Sequence, residues 1–371
     1  MFRRRTRGAG TGAGAPVTVL FVPGLARGPA ALGDDLSPPG PGAVRASTPT
    51  LPALGTLLAA ATPVAVPVAG ETATLLHLFG LPDAVAGAAA GAAYCRMGED
   101  TPPESGSRGW WLRADPVHLE ADRDALVLRP GVVPTAAEAG AMADGLNREL
   151  FGPAGMALEV CAPGRWYLSL SGDPRIRTVP PGEPEAAAAA PGLPQGPGAR
   201  CWRRLLNEAQ MLLHADPANA TRVRNGLPPV NSLWFWGAGT AAALPERRGR
   251  VFGGGALGRG LARCAGVPHH PSVAAAAHDA LATDPGEWYL IVCGALRAAW
   301  ERGDRQAQAA ALDALERDWF VPLCTRLRAE RGLQVRLYTG DGRAWVLGRP
   351  GRWLREAARR RALDEFFLIN Q

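Results

Sequence analysis

Between Leu205 and Pro245 the chain places Asn219, Arg222 and Asn231 ahead of a run of aromatic residues and glycines, Trp234-Phe235-Trp236-Gly237-Ala238-Gly239. A guanidinium donates two parallel hydrogen bonds to a carboxylate or phosphate, and two asparagines add further polar donors. Gly237 and Gly239 let backbone approach a ligand closely or turn sharply. In an extended strand Trp234 and Trp236 share one face and Phe235 takes the other. These residue types point to a small-anion site: Asn219, Arg222 and Asn231 would hold the anion against the Trp234–Trp236 strand, beside Gly237 and Gly239. The competing reading is an aromatic-rich core strand, with Arg222 only pinning a turn.

Other chemistry is thinner. Six histidines occur, and none follows His278. His269, His270 and His278 lack the carboxylate or cysteine spacing of a metal site, and a solvated loop explains them. Six cysteines stand singly, without a C-x-x-C pair, as free thiols in a reducing compartment would. Gly253 to Gly258 fits G-x-G-x-x-G with Asp279 about twenty residues on, but the strand before it is very short for a dinucleotide site.

The elements that must position these residues can be read from periodicity. Val17 to Ala26 is an apolar run broken at Pro23-Gly24, as expected of a strand buried on both faces. Pro38 to Gly42 reads as a loop, and Thr48 to Ala61 as a helix with a Thr-Pro start. Thr135 and Glu138 stand in capping-box spacing ahead of a helix to Leu150. Leu158 to Gly172 reads as a hairpin around Pro163-Gly164. Thr178 to Gly198 is low-complexity and reads as a surface linker or loop. Arg200 to His214 is an amphipathic helix, and Asp216 to Arg222 follows it as a turn. Glu287 to Cys293 and Leu333 to Gly340 are strand-like. They flank a helix from Asp304 to Glu330 that Pro322 should kink or split, and the three together form a crossover unit of a parallel or mixed sheet.

With 371 residues the chain exceeds one typical core, and 47% apolar residues suffice to fill more than one. No apolar run approaches the ~18 residues of a membrane span. The net charge of +6 comes from arginine, since no lysine occurs, and it is spread along the chain, which argues against nucleic-acid binding. The first fifteen residues read as a basic disordered tail, and a cytoplasmic location is expected.

The stretch from Asp216 to Gly239 resembles the archaeal-type, cofactor-independent phosphoglycerate mutases of the alkaline phosphatase superfamily. Asp216-Pro217-Ala218-Asn219-Ala220-Thr221-Arg222 resembles their H-P-V-N-x-x-R, with Asp216 where histidine is usual. Gly226, Pro228, Pro229, Asn231, Trp234, Trp236, Gly237 and Gly239 follow their G-x-P-P-A-N and W-x-W-G-x-G patterns. A small bacterial group of RpfE-type regulatory proteins is also similar, at Leu205 to His214, Asn231 to Gly239, Arg113 to Leu128 and Leu193 to Gly196. The resemblance implies an alkaline-phosphatase-like α/β core at 16–111 and 223–371, interrupted by a smaller α+β domain at 112–222.

The same resemblance implies two divalent metals and a Ser or Thr nucleophile. At the positions it assigns, Pro23 stands for the first metal-binding Asp and Pro52 for a second Asp. Glu71 stands for the nucleophile with Thr72 one residue away, and Asp341 is kept while Gly342 replaces a His. No metal or other cofactor is therefore expected. Two readings stay open. One is a catalytically degenerate relative that regulates or binds a small anionic metabolite, with a protein partner possible. The other is an active metal-dependent phosphotransferase or mutase with a displaced metal site, in which Thr72 or Asp341 keeps a role.

Overall fold

The computed structural model describes residues 17–27, 50–82, 90–102, 109–122, 125–129, 132–183, 193–274, 287–330, 332–351 and 356–368. The basic tail, the Pro38–Gly42 loop, Thr48 and Asp279 lie outside them.

A seven-stranded mixed sheet organises the larger layer. It is built from β1 (Val17–Phe21), β2 (Ala61–Ala69), β8 (Gly249–Gly253), β9 (His269–His270), β10 (Trp288–Val292), β11 (Gln334–Tyr338) and β12 (Asp341–Leu347). The order is β2-β12-β11-β1-β10-β8-β9. β1 lies between β10 and β11 and is parallel to both. The crossover from β10 to β11 therefore passes over the first strand, and this places the two ends of the chain side by side in one sheet.

β1 is buried on both faces, as its apolar run requires. Val19 and Phe21 pack into one core, and Leu20 and Val22 into the other. The helix expected from Thr48 begins at Pro52, as α1 (Pro52–Leu58), because proline is tolerated in the first turn where the N–H has no helical partner. The long helix after Asp304 is split. It runs from Arg305 to Leu315, widens into a π-type turn at Glu316–Phe320, and resumes from Val321 to Ala329 with Pro322 in its first turn.

The second sheet has β3 (Trp110–Asp122), β4 (Ala125–Arg129), β5 (Ala157–Ala162), β6 (Arg165–Leu170) and β7 (Ser232–Gly239). Its path is β4-β3-β6-β5, and β7 pairs antiparallel with β3. A boundary at 222/223, as the resemblance implies, puts Ser232–Gly239 on the core side. Its hydrogen bonds instead put it in the smaller sheet, which so extends from Trp110 to Gly239. This mixed architecture is an alkaline-phosphatase-like α/β fold that carries a smaller α+β layer.

β7 separates two cores as its alternation demands. Trp234 and Trp236 face the core shared with the large sheet, and Phe235 faces the helices of the small one. The capping box at Thr135 forms as expected and starts a helix at Ala136–Leu146.

Candidate functional site

The loops at the carboxyl ends of the parallel strands enclose a cleft of about 510 Å³. Open α/β sheets bind ligands at this edge. Pro23, Gly24, Ala26 and Arg27 enter from the end of β1, and Thr339, Gly340 and Asp341 from the β11–β12 turn. Ala69 and Gly70 lead from β2 into α2 (Glu71–Leu78), which contributes Glu71, Thr72 and Ala73. Arg297 comes from the helix after β10 (Ala295–Glu301), and Gly237 from β7. The loops are tied together by backbone. The Gly70 N–H donates to Gly340 O at 2.7 Å, and the Val22 N–H to Tyr338 O at 2.9 Å.

Four positions that the resemblance assigned to catalysis, Pro23, Glu71, Thr72 and Asp341, line this one cleft. Pro52 does not line it. Pro23 offers no ligand. Asp341 accepts from Arg343 Nε at 2.8 Å and from the Thr339 hydroxyl. Arg297 is buried and donates to Glu301 at 2.8 Å. Burial works against its charge, but Glu183 and Glu301 hold the guanidinium above its usual pKa. Two divalent cations do not fit a cleft that supplies three carboxylates, two arginines and no histidine among its lining. Among the described residues no three His, Cys, Asp or Glu side chains converge as metal ligands. Neither Cys95 nor Cys293 is poised as a thiolate, since burial pushes the Cys95 thiol up to about 11 and the Cys293 thiol up to about 12.

Glu71 is the unusual acid. Burial raises its carboxyl to about 7, Arg297 opposes this, and Glu301 and Glu183 add to it. A carboxyl with a folded pKa above its unfolded value of 4.5 is protonated preferentially in the native state. Its contribution is therefore full below that unfolded value and lost as pH rises through about 7. Melting measured by calorimetry should show stability falling between about pH 5 and pH 8, by about 1–3 kcal/mol. Glu71→Gln should flatten that slope, and an unchanged slope in the variant would contradict the assignment.

The anion ligands expected from sequence lie elsewhere, with their polar groups spent on the protein. Asp216 to Arg222 is not a turn. Asp216 caps a helix, Pro217–Arg224, through the Ala218 N–H at 2.8 Å, and Pro217 fills its first position. Asn219 and Arg222 share the inward face of that helix and are 3% and 4% exposed. The Asn219 amide donates to Leu213 O and Val230 O, and its oxygen accepts from the Val230 N–H. Arg222 donates to Pro228 O at 3.0 Å and to Glu138 at 2.9 Å. Asn231 pairs with both backbone groups of Leu119. Trp236 donates to Asp115 and Trp234 to Val179 O.

Of the expected set only Gly237 lines the cleft. Its φ is +69°, and a Cβ there would lie 2.8 Å from Ala92 N. At Gly239 a Cβ would lie 2.5 Å from the Ala90 Cα. Both glycines thus admit the helix Gly91–Met97 against β7, where the sequence reading had a ligand. The glycine run Gly253–Gly258 does link a strand to a helix (Gly255–Cys264), but it lies one strand from the sheet edge and outside the cleft.

Arg27, Glu183 and Arg297 were missed. Arg27 and Arg297 closely follow buried parallel strands, and that placement was the available signal. Glu183 gave none, because its segment reads as low-complexity linker.

No family model matches the chain. It is 33% identical over 115 residues to a probable 2,3-bisphosphoglycerate-independent phosphoglycerate mutase of Geobacter sulfurreducens, covering 28% of this chain and 29% of that one. It is 36% identical over 80 residues to the 2,3-bisphosphoglycerate-independent phosphoglycerate mutase of Methanothrix thermoacetophila, 20% of each chain. The matches span under a third of these relatives' length. In three dimensions it is similar to a solved protein of Pyrococcus horikoshii, with a TM-score of 0.53 and 16% identity, over 96% of this chain and 98% of that one. Part of the sequence is therefore similar to phosphoglycerate mutases, and the likeness to the fold of the Pyrococcus protein extends over nearly all of the chain. No described helix is long and apolar enough to cross a membrane.

Proposed function

We propose that this protein is a phosphoglycerate-mutase-like chain that has lost mutase chemistry and binds a small anion in the cleft, in a regulatory role. The observation that carries the reading is the convergence of Pro23, Glu71, Thr72 and Asp341 on one cleft that holds arginines where metals would need ligands. The resemblance to RpfE-type regulatory proteins supports the regulatory part. In this reading the anion sits against Arg297 and the first turn of α2, because the polar groups beside the Trp234–Trp236 strand are already bonded to protein. A helix start presents unpaired N–H groups and partial positive charge, and Arg297 adds a full one.

The donor set of the cleft does not suit a pair of divalent metals. What the residues can do is bind and orient. Arg297, held by Glu301, presents donors to an anion. Calorimetry with inorganic phosphate and 3-phosphoglycerate tests this. Arg297→Ala should weaken binding by about 1.5–3 kcal/mol, the scale of a hydrogen bond to a charged group. Folding should survive, because its partner Glu301 keeps a 41% exposed side chain and stays solvated. No binding at millimolar ligand, by the unaltered protein or by one in which Glu183 is replaced, would overturn the reading.

A further inference from the structure

Of the stretch that reads as a surface linker, the described residues Thr178 to Glu183 turn into the cleft. Thr178, Val179, Pro180 and Glu183 line the cleft. Contacts to three neighbouring elements fasten this strap. The Trp234 indole N–H donates to Val179 O at 2.7 Å. Gly182, with φ +81°, lies so close to the Arg297–Glu301 pair that a Cβ would be 2.3 Å from Glu301 Oε1 and 2.7 Å from Arg297 Nη2. The Glu183 carboxylate accepts the Glu71 N–H at 2.9 Å. It lies flat on Gly70, where a Cβ would be 2.8 Å from all three carboxyl atoms.

The carboxylate thus takes a position an external anion would need: the start of α2, in the field of Arg297. Its charge and its hold on the Glu71 N–H both oppose a phosphate that enters at the same place. We infer that the Glu183 strap is an intramolecular anion that occupies the cleft's anion subsite, so that phosphate or a phosphomonoester must displace it to bind. The inference rests on the anion-binding reading above and adds how that site is regulated. It also gives Trp234 a role: the indole anchors the strap from outside the subsite.

The full chain, unaltered and as Glu183→Ala, Glu183→Gln and the double variant Glu183→Ala/Arg297→Ala, should be titrated with inorganic phosphate by calorimetry. Amide hydrogen exchange of the first turn of α2 should be followed in the same proteins, and melting curves check that each is folded. Both single variants should bind phosphate at least about tenfold more tightly than the unaltered chain, an order-of-magnitude expectation for removing a competing charge. The double variant should lose that gain, and the Glu71 amide should exchange faster once its acceptor is gone. Equal affinities in the unaltered and single-variant proteins would overturn the competition and leave anion binding intact. Unchanged exchange at Glu71 would overturn the docking itself. Faster exchange with no phosphate binding in any protein would overturn the anion reading, and the competition with it.

Discussion

Replacing Arg222 with alanine is expected to lower stability by about 2–4 kcal/mol and to leave phosphate binding in the cleft unchanged. Arg222 is 4% exposed, and it links three pieces of backbone. Its Nε bonds Pro228 O, and its Nη1 bonds the Glu138 carboxylate, which also accepts the Thr135 N–H at 2.7 Å. The helix Pro217–Arg224, the Pro228 turn and the start of the helix Ala136–Leu146 therefore share one guanidinium. The Thr135 N–H first, and then the bond from Arg222, hold Glu138 below the usual carboxylate range. The alanine variant strands the Pro228 carbonyl and leaves Glu138 with the Thr135 N–H but no countercharge. The Glu138 side chain keeps 19% exposure, so water repays part of the loss and the cost falls short of a fully buried broken pair. Chemical denaturation reads the stability and phosphate calorimetry the binding. A variant that melts normally and loses phosphate would return Arg222 to the anion site.

Gly260→Ala should cost about 3 kcal/mol or more, the upper end of what overpacking does. Gly260 lies where the helix Gly255–Cys264 crosses the helix Gly91–Met97 with backbones in contact. A Cβ there would be 1.7 Å from Tyr94 O and 2.9 Å from Gly98 N, and from Gly98 a Cβ would be 1.8 Å from Ala256 O. Each neighbour is backbone, so nothing flexible can give. One methyl must push the helices apart, and the Gly91–Met97 helix also supplies Gly91 to the cleft wall. Gly140→Ala is the matched control. It lies within a helix with nothing within 4 Å of the added methyl, and should stabilise by about 0.5–1 kcal/mol. Equal effects at both positions, measured by denaturation, would contradict the close crossing.

Much of the fold was legible because burial writes itself into periodicity. The apolar run at Val17, the split helix at Pro322, the capping box at Thr135 and the opposed faces of Trp234 and Phe235 all follow from residue type and spacing. The partner of β7 was not legible, since alternation says which face is buried and not which strand lies alongside. The polar residues Asn219, Arg222 and Asn231 were read as ligands because donors look alike whether they meet an anion or a carbonyl. Only the fold reveals that Pro228, Val230 and Leu119 already satisfy them. The cleft was half legible. Pro23, Glu71, Thr72 and Asp341 were picked out by resemblance to a family pattern. Arg297 and Glu183 enter from remote segments, and Glu183 sits in a stretch whose composition argues for solvent.

We propose that the cleft binds without turning over. The most direct test is a turnover assay with 3-phosphoglycerate, with manganese added, on purified protein whose metal content is determined by elemental analysis. No conversion to 2-phosphoglycerate above background and no stoichiometric metal are expected. Conversion that a chelator abolishes and Thr72→Ala eliminates, accompanied by about two equivalents of manganese or zinc per chain as a two-metal site would hold, would contradict it.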